Sequence, residues 1–186
     1  GIGAEKKSKV ISEKEKKITA YHEAGHAILF HVLPDVGPVY SVSIIPTGMG
    51  AAGYTMPLPD QDNMFETRGS MLQDITVALG GRIAEEEIFG DITTGASQDI
   101  KQATATAKSM VTKFGMSEKL GLINYDNDGD EVFIGRDLAH TGRGYGEEVA
   151  GEIDREIRSI IDTCYQRGQY IIRKYHDELD ACAKLL

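Results

Sequence analysis

The sequence has few cysteines, little positive charge and no long uninterrupted apolar segment. Its two cysteines, Cys164 and Cys182, cannot form a disulfide framework and lack zinc-finger spacing, so we expect ordinary thiols in a reducing compartment. No apolar segment approaches the roughly 20 residues that a transmembrane helix needs, and no signal peptide is recognisable. We therefore expect this segment of chain to be soluble by itself.

Positive charge is scarce because Lys and Arg total 20 against 29 Asp and Glu, which gives a formal net charge of −9. Proteins that hold nucleic acid use Lys and Arg to neutralise phosphates, so we predict no nucleic-acid partner. The remaining composition, 41% hydrophobic and 26% charged, is that of an ordinary globular protein. The length of 186 residues suits a single domain.

The first strong structural signal is a helix predicted from about residue 13 to residue 33. Ser12 and Glu15 have the spacing of a capping box at its start, and Pro34 ends it. Helical periodicity predicts an inward-facing stripe on this helix. The stripe consists of Ile18, His22, Gly25, Leu29 and Leu33, with His26 beside it.

Two short segments alternate between apolar and polar residues, which predicts β-strands. These are "VYSVSII" and "AAGYTMPL", and the turn-forming "PTGMG" lies between them. Pro57 and Pro59 place the end of the second strand at or near a sheet edge. The fold class is therefore predicted as mainly α, with a small β-hairpin or sheet near the first helix.

The rest of the chain is predicted to be largely helical. The expected helices lie at about 67–89, 97–114 and 145–175, followed by a short one from Asp177. Gly80 and Gly81 interrupt the pattern of the first of these, and glycine there permits close packing. Ser97 is the predicted cap of the second, and Gly115 its stop. The predicted inward face of the segment 67–89 is Leu72, Ile75, Leu79, Ile83 and Glu86.

The chemically informative motif is His22-Glu23-Ala24-Gly25-His26, which matches the H-E-x-x-H pattern of zinc hydrolases. Positions i and i+4 are neighbours on a helix, so His22 and His26 can bind one Zn²⁺ ion. Glu23 points about 100° away and can take a proton from a water on the metal as it attacks a carbonyl. Gly25 costs about 1 kcal/mol against alanine within a helix, which indicates a closely packed neighbour, with the hairpin as the candidate.

The third metal ligand is not decided by spacing alone. The metzincin pattern requires a histidine where this sequence has Val32, and His31 faces away from the histidine pair. Two carboxylates remain as candidates. Glu86 is the predicted inward-facing member of the acidic run 85–87, and Asp99 lies in the first turn of the third helix.

Five segments occur in the order expected of one family: "ITAYHEAGHAI", "VSIIPTG", "LGGRIAEEEIFG", "TTGASQDIKQATATAKSMVTKFGMSEKLG" and "EVFIGRD". The chain resembles the proteolytic domain of the FtsH family of ATP-dependent zinc metalloproteases over nearly all of residues 12–186. The resemblance implies a helical zinc protease with Asp99 as the third ligand. It makes Glu86 a supporting carboxylate that orients a histidine or pairs with a base. It also implies a hexameric ring and an extended substrate that adds as a strand beside Ala52, Gly53, Tyr54 and Thr55.

The expected function is that of a zinc-dependent endopeptidase domain in a membrane-anchored, ATP-dependent protease of protein quality control. Its substrates would be unfolded membrane and soluble proteins, and the domain would lie on the cytoplasmic side. The chain has no G-x-x-x-x-G-K-[ST] loop, so ATP, Mg²⁺ and the membrane anchor are expected to belong to other segments. Residues 1–11 are interpreted as the linker from an AAA+ module and residues 12–186 as the protease domain. The alternative is a catalytically silent, ring-forming scaffold that binds polypeptide.

Overall fold

The computed structural model describes residues 12–37, 65–126 and 144–186. In those ranges the chain forms six α-helices and no strand. The helices are α1 (Glu13–Val32), α2 (Arg68–Ala78), α3 (Gly80–Phe89), α4 (Ser97–Thr112), α5 (Glu147–Lys174) and α6 (His176–Leu185). The mainly helical prediction is confirmed for this part of the chain. The predicted strands "VYSVSII" and "AAGYTMPL" lie outside the described residues, as does the linker 1–11.

Helix α1 is the central helix, and its predicted bounds are confirmed. The Ser12 hydroxyl accepts a hydrogen bond from the backbone N–H of Glu15 at 3.1 Å, as the capping box requires. Helix α1 packs chiefly on α3 and α6. Burial of its second half extends beyond the predicted stripe, because small residues let neighbouring helices approach from several sides. The buried residues are Tyr21, His22, Ala24, Gly25, His26, Ala27, Leu29 and Phe30.

The single helix predicted over residues 67–89 is two helices, α2 and α3, which are separated at Leu79. The break brings α3 against α1 at backbone distance. A Cβ atom placed on Gly25 would lie 2.3 Å from the carbonyl oxygen of Gly80 and 2.7 Å from Cβ of Ala84. The neighbour that requires glycine at position 25 is therefore α3, and not the hairpin suggested by the sequence.

Helical structure begins before the predicted cap of α4, because a separate short turn precedes this helix. A 3-10 turn, Thr94–Ala96, leads directly into it, and the Thr93 side chain caps this turn by accepting from the N–H of Gly95. Ser97 is already helical, so its prediction as the N-cap is wrong. The stop is as predicted, because the helix ends at Thr112 and Gly115 takes the left-handed φ of 63°.

One hydrophobic core joins the helices, since each of the six contributes an almost completely buried side chain. These are Leu29, Ile75, Ile83, Met110, Ile172 and Leu179, in the order α1 to α6. Helices α5 and α6 follow their predicted positions and separate at Tyr175. Among the described helices, none combines the length and apolar character needed to cross a bilayer.

Candidate metal centre

Three potential ligand atoms converge where α1, α3 and the start of α4 meet. His22 and His26 lie on successive turns of α1, with their Nε2 atoms 3.2 Å apart. Oδ2 of Asp99, in the first turn of α4, lies 3.1 Å from Nε2 of His22 and 3.2 Å from Nε2 of His26. The helical spacing of the histidines and the loop before α4 thus bring together residues 77 positions apart in sequence.

The second nitrogen of each imidazole has a fixed partner. Nδ1 of His26 lies 2.8 Å from the carbonyl oxygen of Val77, which can only accept a hydrogen bond. Nδ1 of His22 lies 2.6 Å from Oε2 of Glu85. Both Nδ1 atoms therefore carry the hydrogen in the neutral rings, and both Nε2 lone pairs are directed at the shared point. This is the tautomer that a metal-ligating histidine needs.

This donor set fits zinc. Zinc bonds of about 2.0–2.1 Å in a tetrahedral arrangement put ligand atoms roughly 3.3 Å apart, close to the separations found here. Two imidazole nitrogens and one carboxylate oxygen also match the three protein ligands of a catalytic zinc site. The His22 and His26 side chains are 11% and 8% exposed, whereas that of Asp99 is 20% exposed. The two histidine side chains on α1 are thus largely shielded from solvent, and the Asp99 side chain is somewhat more accessible.

The carboxylate that supports His22 is Glu85, and not the predicted Glu86. Glu85 is buried, and its Oε1 atom also accepts a hydrogen bond of 2.8 Å from the N–H of Thr93. Glu86 is exposed on the neighbouring position of α3, so the prediction that it faces inward is wrong. Glu85 therefore connects the first histidine on α1 to the segment that leads into α4 and Asp99.

The electrostatics of the ligands reflect the competition between burial and close partners. Burial raises the pKa of Asp99, but in the metal-free chain the hydrogen bonds that Nε2 of His22 and His26 donate when these rings are protonated outweigh it and hold the pKa at about 2. Burial also raises the pKa of Glu85, whereas its bonds to Thr93 and His22 bring it below the ordinary value. Burial lowers the pKa of His22, and its bonds to Asp99 and Glu85 more than reverse this effect. Both carboxylates are therefore anionic at neutral pH.

The remaining predicted site residues are placed as follows. Glu23 follows His22 on α1 and is partly exposed, whereas His31 is on the surface as predicted. The segment 52–55, predicted to receive a substrate strand, lies outside the described residues. A second group of possible ligands, His176, Asp177 and Asp180, lies at the start of α6.

Two supporting residues were missed by the sequence reasoning. Besides Glu85, the backbone at Gly81 lies directly against the imidazole of His22. The signal that could have identified them is their spacing: Gly81 and Glu85 are four residues apart, and so share one face of a helix. That face contains small residues, which a search for large apolar side chains does not detect.

The comparisons with known proteins agree with this arrangement. The model of peptidase family M41 matches residues 9–186. The "ATP-dependent zinc metalloprotease FtsH" of Caldicellulosiruptor bescii is 51% identical over 185 residues, covering 100% of this chain and 30% of that protein. The protein of the same name from Thermotoga maritima is 48% identical over 99% of this chain and 30% of its own length. The chain thus spans 30% of the length of each of these two curated relatives.

Proposed function

The chain belongs to peptidase family M41, and from this premise we propose that it is the zinc-dependent proteolytic domain of a longer, ATP-dependent protease. The resemblance to the FtsH family is confirmed by relatives that are about half identical to this chain over almost its whole length. These relatives are named zinc metalloproteases, so the reaction is the hydrolysis of peptide bonds at a zinc ion.

The observation that carries the site assignment is the convergence of three ligand atoms whose orientation is set from behind. His22, His26 and Asp99 would hold the ion, since both imidazoles present Nε2 and the carboxylate is anionic. Zinc, when bound there, would polarise the scissile carbonyl and lower the pKa of the attacking water towards neutrality.

Glu23 is the proposed general base. It follows His22 directly, so its side chain leaves α1 about 100° from the ligand direction and stays off the metal-binding face. Its partly exposed carboxylate can accept a proton from the attacking water while the new C–O bond forms. The same group can then deliver that proton to the leaving amine nitrogen as the C–N bond breaks. Removing Glu23 would therefore affect the reaction and leave the ligand set intact.

The substrate is proposed to be an unfolded polypeptide that binds in extended form. Strand addition beside Ala52, Gly53, Tyr54 and Thr55 is supported by the alternating pattern of this segment and by the family resemblance. The relatives are named ATP-dependent, and this chain covers 30% of the length of each of the two compared above. We accordingly assign ATP and Mg²⁺ binding, membrane attachment and delivery of substrate to segments outside this chain.

Assembly and location belong to the same proposal. A homo-hexamer with this domain on the cytoplasmic side of a membrane, acting in protein quality control, is supported by the resemblance alone. The net charge of −9 argues against a nucleic-acid partner. A catalytically silent scaffold would be favoured by loss of the base or of a ligand, and all of these residues are present.

The test combines metal content with proteolysis. The chain is stripped with a chelator, reconstituted with Zn²⁺, and incubated with casein and with a stable folded protein, each with and without ATP. We expect one zinc per chain, cleavage of casein only in the zinc-loaded state, and no effect of ATP. Casein hydrolysis that continues after complete removal of the metal would overturn the proposal. Failure to bind zinc in a metal titration would overturn the ligand assignment even without any activity measurement.

A further inference from the structure

The imidazole of His22 occupies the space that a side chain on Gly81 would fill. A Cβ atom built on Gly81 would lie 2.3 Å from Nε2 of His22, 2.4 Å from Cε1 and 2.6 Å from Cδ2. Real Cβ atoms essentially never approach closer than 3.0 Å, so any side chain at position 81 requires the ring or the helix to move. The atom nearest to this clash is Nε2, the nitrogen that would bind the metal in the proposed site.

The ring cannot withdraw freely, because Nδ1 of His22 is held 2.6 Å from Glu85. Gly81 and Glu85 lie on the same helix one turn apart, so α3 contacts the ring at two points. Metal-binding geometry tolerates displacements of only about 0.5 Å. Relieving a 2.3 Å contact to 3.0 Å requires more than that.

Helix α3 cannot withdraw either, because its backbone lies against that of α1 beside Gly81. A Cβ atom on Gly80 would lie 2.8 Å from the carbonyl oxygen of Gly25 and 3.0 Å from Cδ1 of Leu29. Shifting α3 away from His22 would open this packing. It would also carry the Glu85 carboxylate away from the ring.

We infer that Gly81 is a positioning residue of the metal centre. Because it has no side chain, the His22 imidazole can lie where its Nε2 atom is close to Nε2 of His26 and Oδ2 of Asp99. The inference rests on the proposed zinc site, and the residue acts only through His22. Replacing Gly81 by alanine should weaken zinc binding by about 10- to 100-fold, the range typical for groups that orient metal ligands.

A matched control exists on the other side of α3. A Cβ atom on Gly168 of α5 would meet Cδ1 of Ile83 at 2.4 Å, the far end of a flexible side chain that can move. Gly168→Ala thus also adds one methyl group against α3, but away from His22. Gly69→Ala on α2 adds a methyl group into open space, since only Oγ1 of Thr67 lies within 4 Å, at 3.9 Å.

The experiment measures zinc affinity by competition with a chromophoric chelator, and the visible spectrum of the Co²⁺-loaded chain. Gly81→Ala should show the weaker affinity and a changed cobalt spectrum, whereas Gly168→Ala and Gly69→Ala should match the wild type. Wild-type affinity together with an unchanged spectrum in Gly81→Ala would overturn the inference.

A second measurement covers the case in which Gly81→Ala folds poorly. The thermal midpoint of the metal-free chain is compared with and without Gly81→Ala, first with His22 present and then in a His22→Ala background. The loss of midpoint should disappear once the imidazole is removed, because nothing then occupies the space. A loss that persists in the His22→Ala background would show that the conflict is not with the ring. This cycle needs no metal, so it tests the contact between position 81 and the ring separately from the proposed zinc site.

Discussion

Within residues 12–37, 65–126 and 144–186, histidine and carboxylate side chains come together at two sites, and the two are built differently. In His22, His26 and Asp99, and again in His176, Asp177 and Asp180, the possible ligand atoms lie within 4.8 Å of one another. The first cluster is formed by two helices and lies at their buried junction. The second is formed by residues of α6 alone, and its His176 and Asp180 side chains are 46% and 33% exposed.

The difference lies in how the ligand atoms are held. At the first site, Glu85 and the Val77 carbonyl occupy Nδ1 of each ring and leave both Nε2 atoms for a shared ion. At the second, Nδ1 of His176 lies 3.4 Å from Oδ2 of Asp180. The other oxygen of Asp180 accepts a hydrogen bond of 2.7 Å from the Tyr21 hydroxyl, which connects α6 to α1. The two clusters therefore differ in orientation, since buried partners direct the ligand atoms of the first, whereas the histidine and Asp180 of the second face each other at the surface.

The largest effect on activity is expected for Glu23, the proposed general base. We expect Glu23→Gln to reduce casein hydrolysis by about 10²- to 10⁴-fold, because the glutamine cannot accept the proton of the attacking water. Zinc content should stay at the wild-type value, because this side chain leaves α1 off the ligand face. Undiminished hydrolysis, measured on protein of verified zinc content, would remove Glu23 from the mechanism.

Ligand loss should separate the two clusters. Asp99→Ala should weaken zinc binding by more than the roughly 100-fold upper range seen for residues that only orient a ligand. Asp180→Ala is the matched control, since it removes the same type of group from the other cluster. Competitive zinc titration of both variants is the measurement. Equal losses of affinity would show that the two clusters contribute equally to zinc binding and that orientation by buried partners does not distinguish them.

The orienting role of Glu85 can be tested against its neighbour. Glu85→Gln should weaken zinc binding by about 10- to 100-fold, because a neutral amide holds the Nδ1 hydrogen of His22 less strongly than a carboxylate. Glu86→Gln makes the same chemical change one residue later, on the exposed surface, and should leave zinc affinity unchanged. The opposite order of affinities would restore Glu86 as the supporting carboxylate.

The smallest expected effect concerns the second cluster as a structural contact. Tyr21→Phe removes the hydroxyl that donates to Asp180 and should lower the free energy of unfolding by about 0.5–1.5 kcal/mol. Zinc affinity should not change, because this bond does not reach the first cluster. Urea denaturation with parallel zinc titration measures both quantities. A loss of metal affinity in this variant would reveal a coupling between the clusters.

Much of the fold was predictable because its signals are local. The capping box at Ser12, the bounds of α1 and the glycine stop after α4 all follow from short-range chemistry. The break at Leu79 was not predicted as the end of a helix, because periodicity continues across it with Ile75 and Ile83 both buried.

The site was predicted less completely, for a physical reason. The H-E-x-x-H pattern itself places His22 and His26 on one helix face. Choosing between the carboxylates at positions 86 and 99 needed the family resemblance, since spacing does not report which loop returns to α1. Glu85 was missed because the face of α3 that contacts α1 includes Gly80, Gly81, Ala84 and Glu85. That face contains no large apolar side chain to mark it as buried.

The interruption at Leu79 has an electronic consequence for the second histidine. Since α2 ends at Ala78, the Val77 carbonyl lies in its last turn, at the helix end that carries the partial negative charge of the macrodipole. The Nδ1 hydrogen of His26 points at this negative end. The field of α2 thereby favours the hydrogen on Nδ1 and the lone pair on Nε2, so a whole helix would strengthen the bond from His26 to a zinc ion in the proposed site.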